Sequence, residues 1–378
     1  MFVRFSLTLK VPSEYSTIKE ALNKSAEGDI ILVEEGFYAE GQIDIFKNNI
    51  TLIAIGNVTL DGIRKKPVLK IVADFVTIEG FKVQNGSCGI HVQGCGNNIT
   101  GNFVLNNGTL NNYCGIYLYK TTDSTISSNT MLSIDYSMNV NVEYGILAQS
   151  SSNNVISMNN ASKAADIYSS ICYGKHGIAL YSSSNNIVSF NSMSNCHKGM
   201  WIYSSSNNTF ISNTATDSWC GILLDASPLN TLRNNNMTNN SANFGVPLDN
   251  LGSPSNAIND VDYSNTVNGK PICYWVNRSD ASVPSDAGCV VLINCRRIKL
   301  QSLTLTYNLH GALLINTNDT QICSSNILSN AARGWEFYCA GIWMLYSSNN
   351  VISQNNISYN AEGVYAYRGV NNLSLIHI

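Results

Sequence analysis

The sequence predicts an all-β chain folded as a right-handed parallel β-helix, a solenoid of coils near 22 residues, with a short N-terminal capping α-helix. Three observations predict it. First, Gly followed by an apolar residue recurs along the chain, at Gly89, Gly115, Gly145, Gly177, Gly199, Gly221, Gly311, Gly341 and Gly363. Gly177, Gly199 and Gly221 are 22 residues apart, as are Gly341 and Gly363. Second, an Asn doublet follows eight or nine residues later: Asn153-Asn154, Asn185-Asn186, Asn207-Asn208, Asn349-Asn350 and Asn371-Asn372. A single Asn lies five residues beyond, at Asn159, Asn191, Asn213 and Asn355. Third, apolar residues alternate after each Gly, so that Ile178 and Leu180, Met200 and Ile202, and Ile222 and Leu224 share a face. Period-two alternation is the mark of a strand, and strands this short bury a face only by stacking on the next repeat.

The elements follow in order. Residues 1–40 read as a cap and first strand. Thr17 and Glu20 have the spacing of a capping box, and Ile18, Ala21 and Leu22 give one apolar helical face. Such a helix would cover the open end of the core and protect the first edge. Asp29-Ile-Ile-Leu-Val33, Ile50-Thr-Leu-Ile53 and Val76-Thr-Ile78 read as early strands. Coils continue over 41–245. Residues 246–288 hold Pro247, Pro254, Pro271 and Pro284, four of the seven prolines, and read as an irregular insertion within the helix. Coils resume over 289–372. Asn suits the corners because it tolerates left-handed backbone and bonds nearby backbone groups. An Asn at the same place in every coil should form an amide ladder. The last six residues, Leu373-Ser-Leu-Ile-His-Ile378, interrupt the repeat and match a read-through of a transposase sequencing adapter. We therefore expect a gene fragment cut short there.

Composition narrows the function classes. Charged residues are 12% of the chain, about half the usual share, and the net charge is −3. There is no basic stripe, so nucleic acid is not the expected partner. No apolar stretch is long enough for a transmembrane segment. Eleven cysteines are scattered without a CxxC pair, which removes zinc-cluster spacing. They suit either buried core thiols or a few disulfides. Sequons such as Asn49-Ile-Thr51 and Asn107-Gly-Thr109 agree with secretion, although no signal peptide is visible in Met1–Lys10.

Asn268-Gly-Lys-Pro-Ile-Cys-Tyr-Trp275, Val283-Pro-Ser-Asp-Ala-Gly288 and Val291-Leu-Ile-Asn-Cys295 together resemble a segment of NosD-like β-helix proteins. These carry the carbohydrate-binding and sugar-hydrolase (CASH) repeat. Val11-Pro-Ser-Glu-Tyr-Ser-Thr-Ile-Lys-Glu-Ala21, with Gly28-Asp29 and Gly36-Phe-Tyr38, resembles the cap of pectin-lyase-like proteins. The resemblance covers essentially the whole chain. It implies the fold and an extracellular, cell-surface or periplasmic location. It leaves activity open, because this fold hosts lyases, hydrolases, adhesins and periplasmic proteins.

Intervals longer than 22 residues place loops before Gly115, Gly145, Gly177 and Gly341, over residues 107–114, 134–144, 162–176 and 331–340. Leaving one corner of successive coils, they would wall a groove. Residues two and four after each Gly should point outward, including His91, Tyr117, Tyr119, Tyr181, Trp201, Tyr203, Trp343, Tyr365 and Tyr367. The loops add Tyr113, Tyr136, Tyr144, Tyr173, Trp219, Trp335 and Tyr338. Flat rings with polar tips suit sugar rings. The alternative is that Tyr and Trp simply favour strands, or that loops cover them.

The leading reading is therefore a surface that binds a polysaccharide or surface glycan through Tyr117, Tyr119, Tyr181, Trp201, Tyr203, Trp219, Trp343 and Tyr365, with no cofactor required. A polysaccharide lyase in the same groove would need clustered carboxylates, Ca²⁺ and a base; a hydrolase would need paired carboxylates. The candidates are Asp217, Asp225 and His176, with Glu143, Asp166, Glu336 and Glu362 near the edge. His176-Gly177 and Arg297-Ile-Lys299 resemble fragments of polygalacturonase motifs, without that family's paired Asp segments. A structural adhesion protein is a third reading. The NosD resemblance brings in copper-site maturation, with Cys172, His176, Met193, Cys196, His197 and Met200 as soft or imidazole donors.

Overall fold

The computed structural model describes residues 5–64, 66–105, 113–132, 143–162, 175–247, 252–330 and 337–375. The chain forms two units, Met1–His197 and Lys198–Ile378. In both, short strands of successive coils pair in parallel.

In the first unit, one sheet stacks Ile43–Ile45, Leu69–Val72, Cys88–Gln93, Tyr113–Tyr119, Glu143–Gln149 and Lys175–Tyr181. A second run stacks Thr51–Asp61, Thr77–Glu79, Asn98–Thr100, Thr125–Ser127, Val155–Ser157 and Ile187–Ser189. A third stacks Lys82–Gln84, Phe103–Leu105 and Thr130–Leu132. Register matches Ile90, Ile116, Ile146 and Ile178, and all four are fully buried. Each such side chain contributes roughly 1.5–3 kcal/mol of burial. This is the interior column that the alternation after each Gly predicts.

The second unit repeats the arrangement. Lys198–Tyr203, Cys220–Asp225 and Ala242–Gly245 stack, with Met200, Ile222 and Phe244 as the buried column. Within 246–288, Asp260–Val261 and Thr266–Val267 pair with the preceding coil. A single antiparallel pairing then leads into Lys270–Val276, which stacks with Cys289–Ile293, His310–Ile315, Ala340–Leu345 and Val364–Tyr367. Pro254 opens a short 3₁₀ turn, Pro254–Ala257, where its fixed φ is tolerated.

The cap is the helix Ile18–Lys24. Thr17 Oγ1 accepts from the Glu20 N–H at 3.0 Å, and the Glu20 carboxylate reaches back to the Ser16 N–H at 3.0 Å. Glu40, 22 residues on, accepts from the Ile18 and Lys19 N–H groups, placing negative charge at the helix N-terminus. Ile18, Ala21 and Leu22 are buried.

The Asn landmarks divide into two jobs. The first Asn of each doublet takes left-handed backbone: Asn153, Asn185, Asn207, Asn349 and Asn371 have φ of 55–60°. The second is buried at Asn154, Asn186, Asn208 and Asn350 and bonds its counterpart, as Asn154 does Asn186. The single Asn makes the longest ladder. The amide oxygens of Asn129, Asn159 and Asn191 each accept the backbone N–H and Nδ2 of the Asn one coil earlier, at 2.9–3.1 Å. In the second unit the amide oxygens of Asn235 and Asn265 accept in the same way from Asn213 and Asn235. Corner backbone is thereby satisfied without water.

The recurrent Gly is required by space at Gly115, Gly145, Gly199, Gly221, Gly311 and Gly341, whereas a Cβ on Gly363 would come no closer than 3.7 Å to Ile357. A Cβ on Gly145 would meet the Gly177 carbonyl oxygen at 2.7 Å and Ala161 Cβ at 2.8 Å. A Cβ on Gly199 would meet Ala215 Cβ at 2.8 Å and the Gly221 oxygen at 2.9 Å.

Candidate functional site

The aromatic side chains of the Gly-led strands are mostly half-buried, with Trp343 buried and Tyr367 exposed. In the first unit, His91 and Tyr117 are register partners whose rings stack at 4.9 Å with 27° between planes. Tyr119 lies 5.9 Å from Tyr117, and Lys120 Nζ sits 5.3 Å from the Tyr119 ring centroid. The Tyr117 hydroxyl donates to Gln149 Oε1 at 2.7 Å. Burial, with smaller contributions from Cys114, Tyr119 and Cys88, pushes the Tyr117 phenol up to about 12. Burial and the Lys70 ammonium lower the His91 pKa, and its buried Nε2 has no hydrogen-bond partner among the described residues. Tyr144 and Tyr181 meet edge to face at 6.2 Å with hydroxyls 3.3 Å apart. Tyr117, Tyr119, Tyr144 and Tyr181 are half-buried.

In the second unit, Trp201 and Tyr203 are half-buried and meet at 6.0 Å. Asp225 is the register partner of Tyr203, beside it as expected, but it is covered rather than open, with 0% exposure. The Trp201 indole N–H lies 3.4 Å from Asp225 Oδ2. Lys198, only 2% exposed, places Nζ 3.7 Å from the Trp201 ring centroid and 5.3 Å from that of Phe337. Trp201, Trp219 and Phe337 pack on the buried Cys220, Leu223, Ala242, Leu309 and Cys339. The alternation did not single out Lys198 or Phe337. Lys198 occupies the place before Gly held elsewhere by Cys88, Cys114, Tyr144, His176 and Cys220, and a charge in that column was the available signal.

Trp343 departs furthest from expectation. It is 5% exposed, not an open surface ring. Tyr365 from the next coil lies 4.3 Å away, Tyr338 from the loop edge 6.2 Å and His310 5.4 Å. Tyr365 itself remains half-buried.

The remaining candidates are scattered. Asp217 is exposed at a left-handed turn with φ of 52°. His176 is buried, with its ring between Tyr144 at 5.1 Å and His197 at 5.5 Å. The Cys196 thiol is directed to the Ser194 and Ala161 carbonyl oxygens at 3.3 and 3.6 Å. Met193 and Met200 are fully buried core residues. Cys172, Asp166, Tyr136, Tyr173, Trp335 and Glu336 lie outside the described residues, as do the side chains of Tyr113 and Glu143. Cys88, Cys95, Cys114, Cys273, Cys289, Cys295 and Cys323 are free thiols.

Parallel coils, an N-terminal cap helix and ladder-lined corners define a right-handed parallel β-helix protein of the pectin-lyase-like type. The chain belongs to the NosD family, described as periplasmic copper-binding protein (NosD), whose sequence profile matches residues 22–170 and 138–274. No curated protein matches it by sequence. Among solved structures it is similar to a mannuronic acid specific polysaccharide family 6 lyase from human gut microbiota. That match has 12% identity and a TM-score of 0.50, and covers 96% of this chain and 82% of that one. It is also similar to a tailspike protein double mutant of E. coli bacteriophage HK620 in complex with pentasaccharide. Here identity is 10%, the TM-score is 0.53, and the coverage is 91% of this chain and 74% of that one. At these identities the likeness shows the fold.

The family description raises copper. Among the described residues no three His, Cys, Asp or Glu side chains converge so as to hold a metal ion. The His176 and His197 ring centroids lie 5.5 Å apart with 36° between planes, and the Cys196 thiol is turned to backbone carbonyls. The described donors therefore do not fit a copper centre.

Proposed function

We propose that this protein acts outside the cytoplasm and binds polysaccharide through the outer aromatic face of its Gly-led strands. The observation that carries the reading is the clustering of half-buried aromatic side chains on the outer side of these strands within each unit: His91, Tyr117 and Tyr119, and Tyr144 with Tyr181, in the first, and Trp201 with Tyr203 in the second. Such rings present apolar planes and hydrogen-bonding edges together, the pairing a sugar ring requires. Trp219 packs on the buried cluster of Cys220 and Leu223, and the Tyr365 ring lies 4.3 Å from that of its register partner Trp343. Two solved proteins of this fold act on or hold saccharides by their own descriptions, which agrees with the reading. The periplasmic description of the family supports the location, and among the described residues no helix is long and apolar enough to cross a membrane.

The test is a screen of neutral and acidic polysaccharides for binding and for degradation, with and without Ca²⁺. Tyr119→Ala and Tyr203→Ala should each weaken binding roughly five-fold or more, the scale of about 1 kcal/mol for a lost aromatic contact, with an unchanged unfolding midpoint. Chain shortening in the screen would move the reading to a lyase or hydrolase. No binding to any polysaccharide, or full binding by both variants, would overturn it.

A further inference from the structure

Cys88 and Cys114 stand directly before Gly89 and Gly115 and are register partners on adjacent parallel strands. Both are buried, at 7% and 5% exposure, and both are free. Neighbouring strands in a sheet lie about 4.8 Å apart, inside the roughly 4.4–6.8 Å Cα separation that a disulfide spans. In-register residues on adjacent strands project from the same face, so the two thiols lie side by side. The Tyr117 phenol on that face is influenced by both.

The other described cysteines lack this arrangement. Cys273 is paired with Val290 and Cys289 with Ile272, an offset of one residue that sends the two side chains to opposite faces. Cys220 faces Lys198 and Ala242, and Cys323 faces Gln301 and Ser353. Cys196 and Cys295 direct their thiols at carbonyl oxygens within two residues. Among the described residues, Cys88 and Cys114 are the register-matched pair.

We propose that Cys88 and Cys114 form a modification site, an oxidisable pair that closes into a disulfide joining two successive coils. The oxidant is a small-molecule or protein disulfide of the kind met outside the cytoplasm. One thiol loses its proton and attacks the oxidant's S–S bond, giving a mixed disulfide and releasing one thiol. The second thiolate attacks the cysteine sulfur of that mixed disulfide, forms the Sγ–Sγ bond and expels the second thiol. The pair gives up two electrons and two protons, and the oxidant's disulfide becomes two thiols. Burial pushes the Cys88 thiol up to about 12 and raises that of Cys114, so closure is slow in the folded chain and proceeds through local opening of this coil edge. The bond would tie together the coils that carry His91 and Tyr117. Its existence does not depend on the glycan reading, and failure of either leaves the other standing.

The experiment exposes the full chain to oxidised glutathione, both folded and during refolding from urea in a glutathione redox buffer. The refolding arm removes slow access as an obstacle. Samples are quenched in acid, alkylated under denaturing conditions and digested for mass spectrometry. The expected product is a Cys88–Cys114 linked peptide two hydrogens lighter than its parts, with the other nine of the eleven thiols alkylated. Its unfolding midpoint should exceed that of the reduced protein and return on reduction. Cys88→Ala and Cys114→Ala should each abolish the linked peptide. Alkylation of Cys88 and Cys114 in both arms, or a link from either to a different cysteine, would overturn the proposal.

Discussion

Replacing Asn159 by Ala tests whether the corner ladder holds the coils together. Asn159 is buried, and its amide has four partners. Its oxygen accepts from the Asn129 backbone N–H at 2.9 Å and from Asn129 Nδ2 at 3.1 Å. Its nitrogen donates to the Ile126 carbonyl at 2.8 Å and to Asn191 Oδ1 at 3.0 Å. Alanine removes all four. Asn191 Oδ1 keeps the Asn159 backbone N–H at 2.9 Å, and Asn129 Nδ2 keeps the Ile99 carbonyl at 2.8 Å. The Asn129 backbone N–H and the second Nδ2 hydrogen are left without an acceptor, and the Ile126 carbonyl loses its side-chain donor. Each stranded buried donor costs about 1–3 kcal/mol, so the two together cost about 2–6 kcal/mol. A water entering the vacated space would bring the loss toward the lower figure. Urea unfolding by circular dichroism should show this loss. Hydrogen exchange should locate it, because a solenoid opens near the damaged coil before it opens elsewhere. Asn98→Ala, on a half-buried strand position without a side-chain bond, should stay within about 0.5 kcal/mol. If Asn159→Ala and Asn98→Ala unfold at the same urea concentration, the ladder is decoration and the account of the corners is wrong.

Two further predictions follow from buried groups. Gly145→Ala places a Cβ 2.7 Å from the Gly177 oxygen and 2.8 Å from Ala161 Cβ, and should cost about 1–3 kcal/mol or more through overpacking. Gly28→Ala meets nothing within 4 Å and carries only its left-handed φ of 87°, so it should cost about 1 kcal/mol in the same urea assay. Equal losses would remove the spatial explanation of the repeat. His310 is fully buried, and desolvation lowers it from 6.5 to about 3. Between those values the unfolded chain binds a proton that the folded chain refuses. Stability from this group is therefore complete above pH 6.5 and is lost as pH falls toward 3, at about 1.4 kcal/mol per unit. His310→Gln should show a shallower acid limb than the parent across this window, and superimposable limbs would refute it.

The fold was legible because stacking repeats its demands. Most coils need a Gly where two carbonyl-bearing turns approach, an apolar pair facing inward and an Asn at each ladder rung, so these requirements recur, at 22-residue intervals where no loop lengthens the coil. The amide ladder follows from that logic before any coordinate is known. The sequence left open which Asn of a doublet takes the left-handed turn and which becomes the rung. It also showed the Gly as a landmark without its cause, since the clash at Gly145 is with residues 16 and 32 positions away.

The outer face was legible in direction and illegible in cover. Alternation places Tyr117, Trp201, Asp225 and Trp343 outside the core, but exposure depends on what the next coil and the long loops lay over them. Asp225 and Trp343 are closed over, while Tyr119 and Tyr203 stay partly open. This bears on function. Rungs keep an amide and interior columns keep an apolar side chain, as Met200, Ile222 and Phe244 do, so chemistry particular to this chain is sought where coils differ in kind. The column before Gly is such a place. It reads Cys88, Cys114, Tyr144, His176 in the first unit and Lys198, Cys220, Ala242 in the second. A position that accepts a thiol, a phenol, an imidazole and an ammonium in turn is not selected for packing alone. It borders the aromatic rings on the same face, since Lys198 reaches the Trp201 ring and the Tyr117 phenol is influenced by Cys88 and Cys114. Substitutions in this column that leave the rungs intact are therefore the ones that should alter ligand preference without altering the fold.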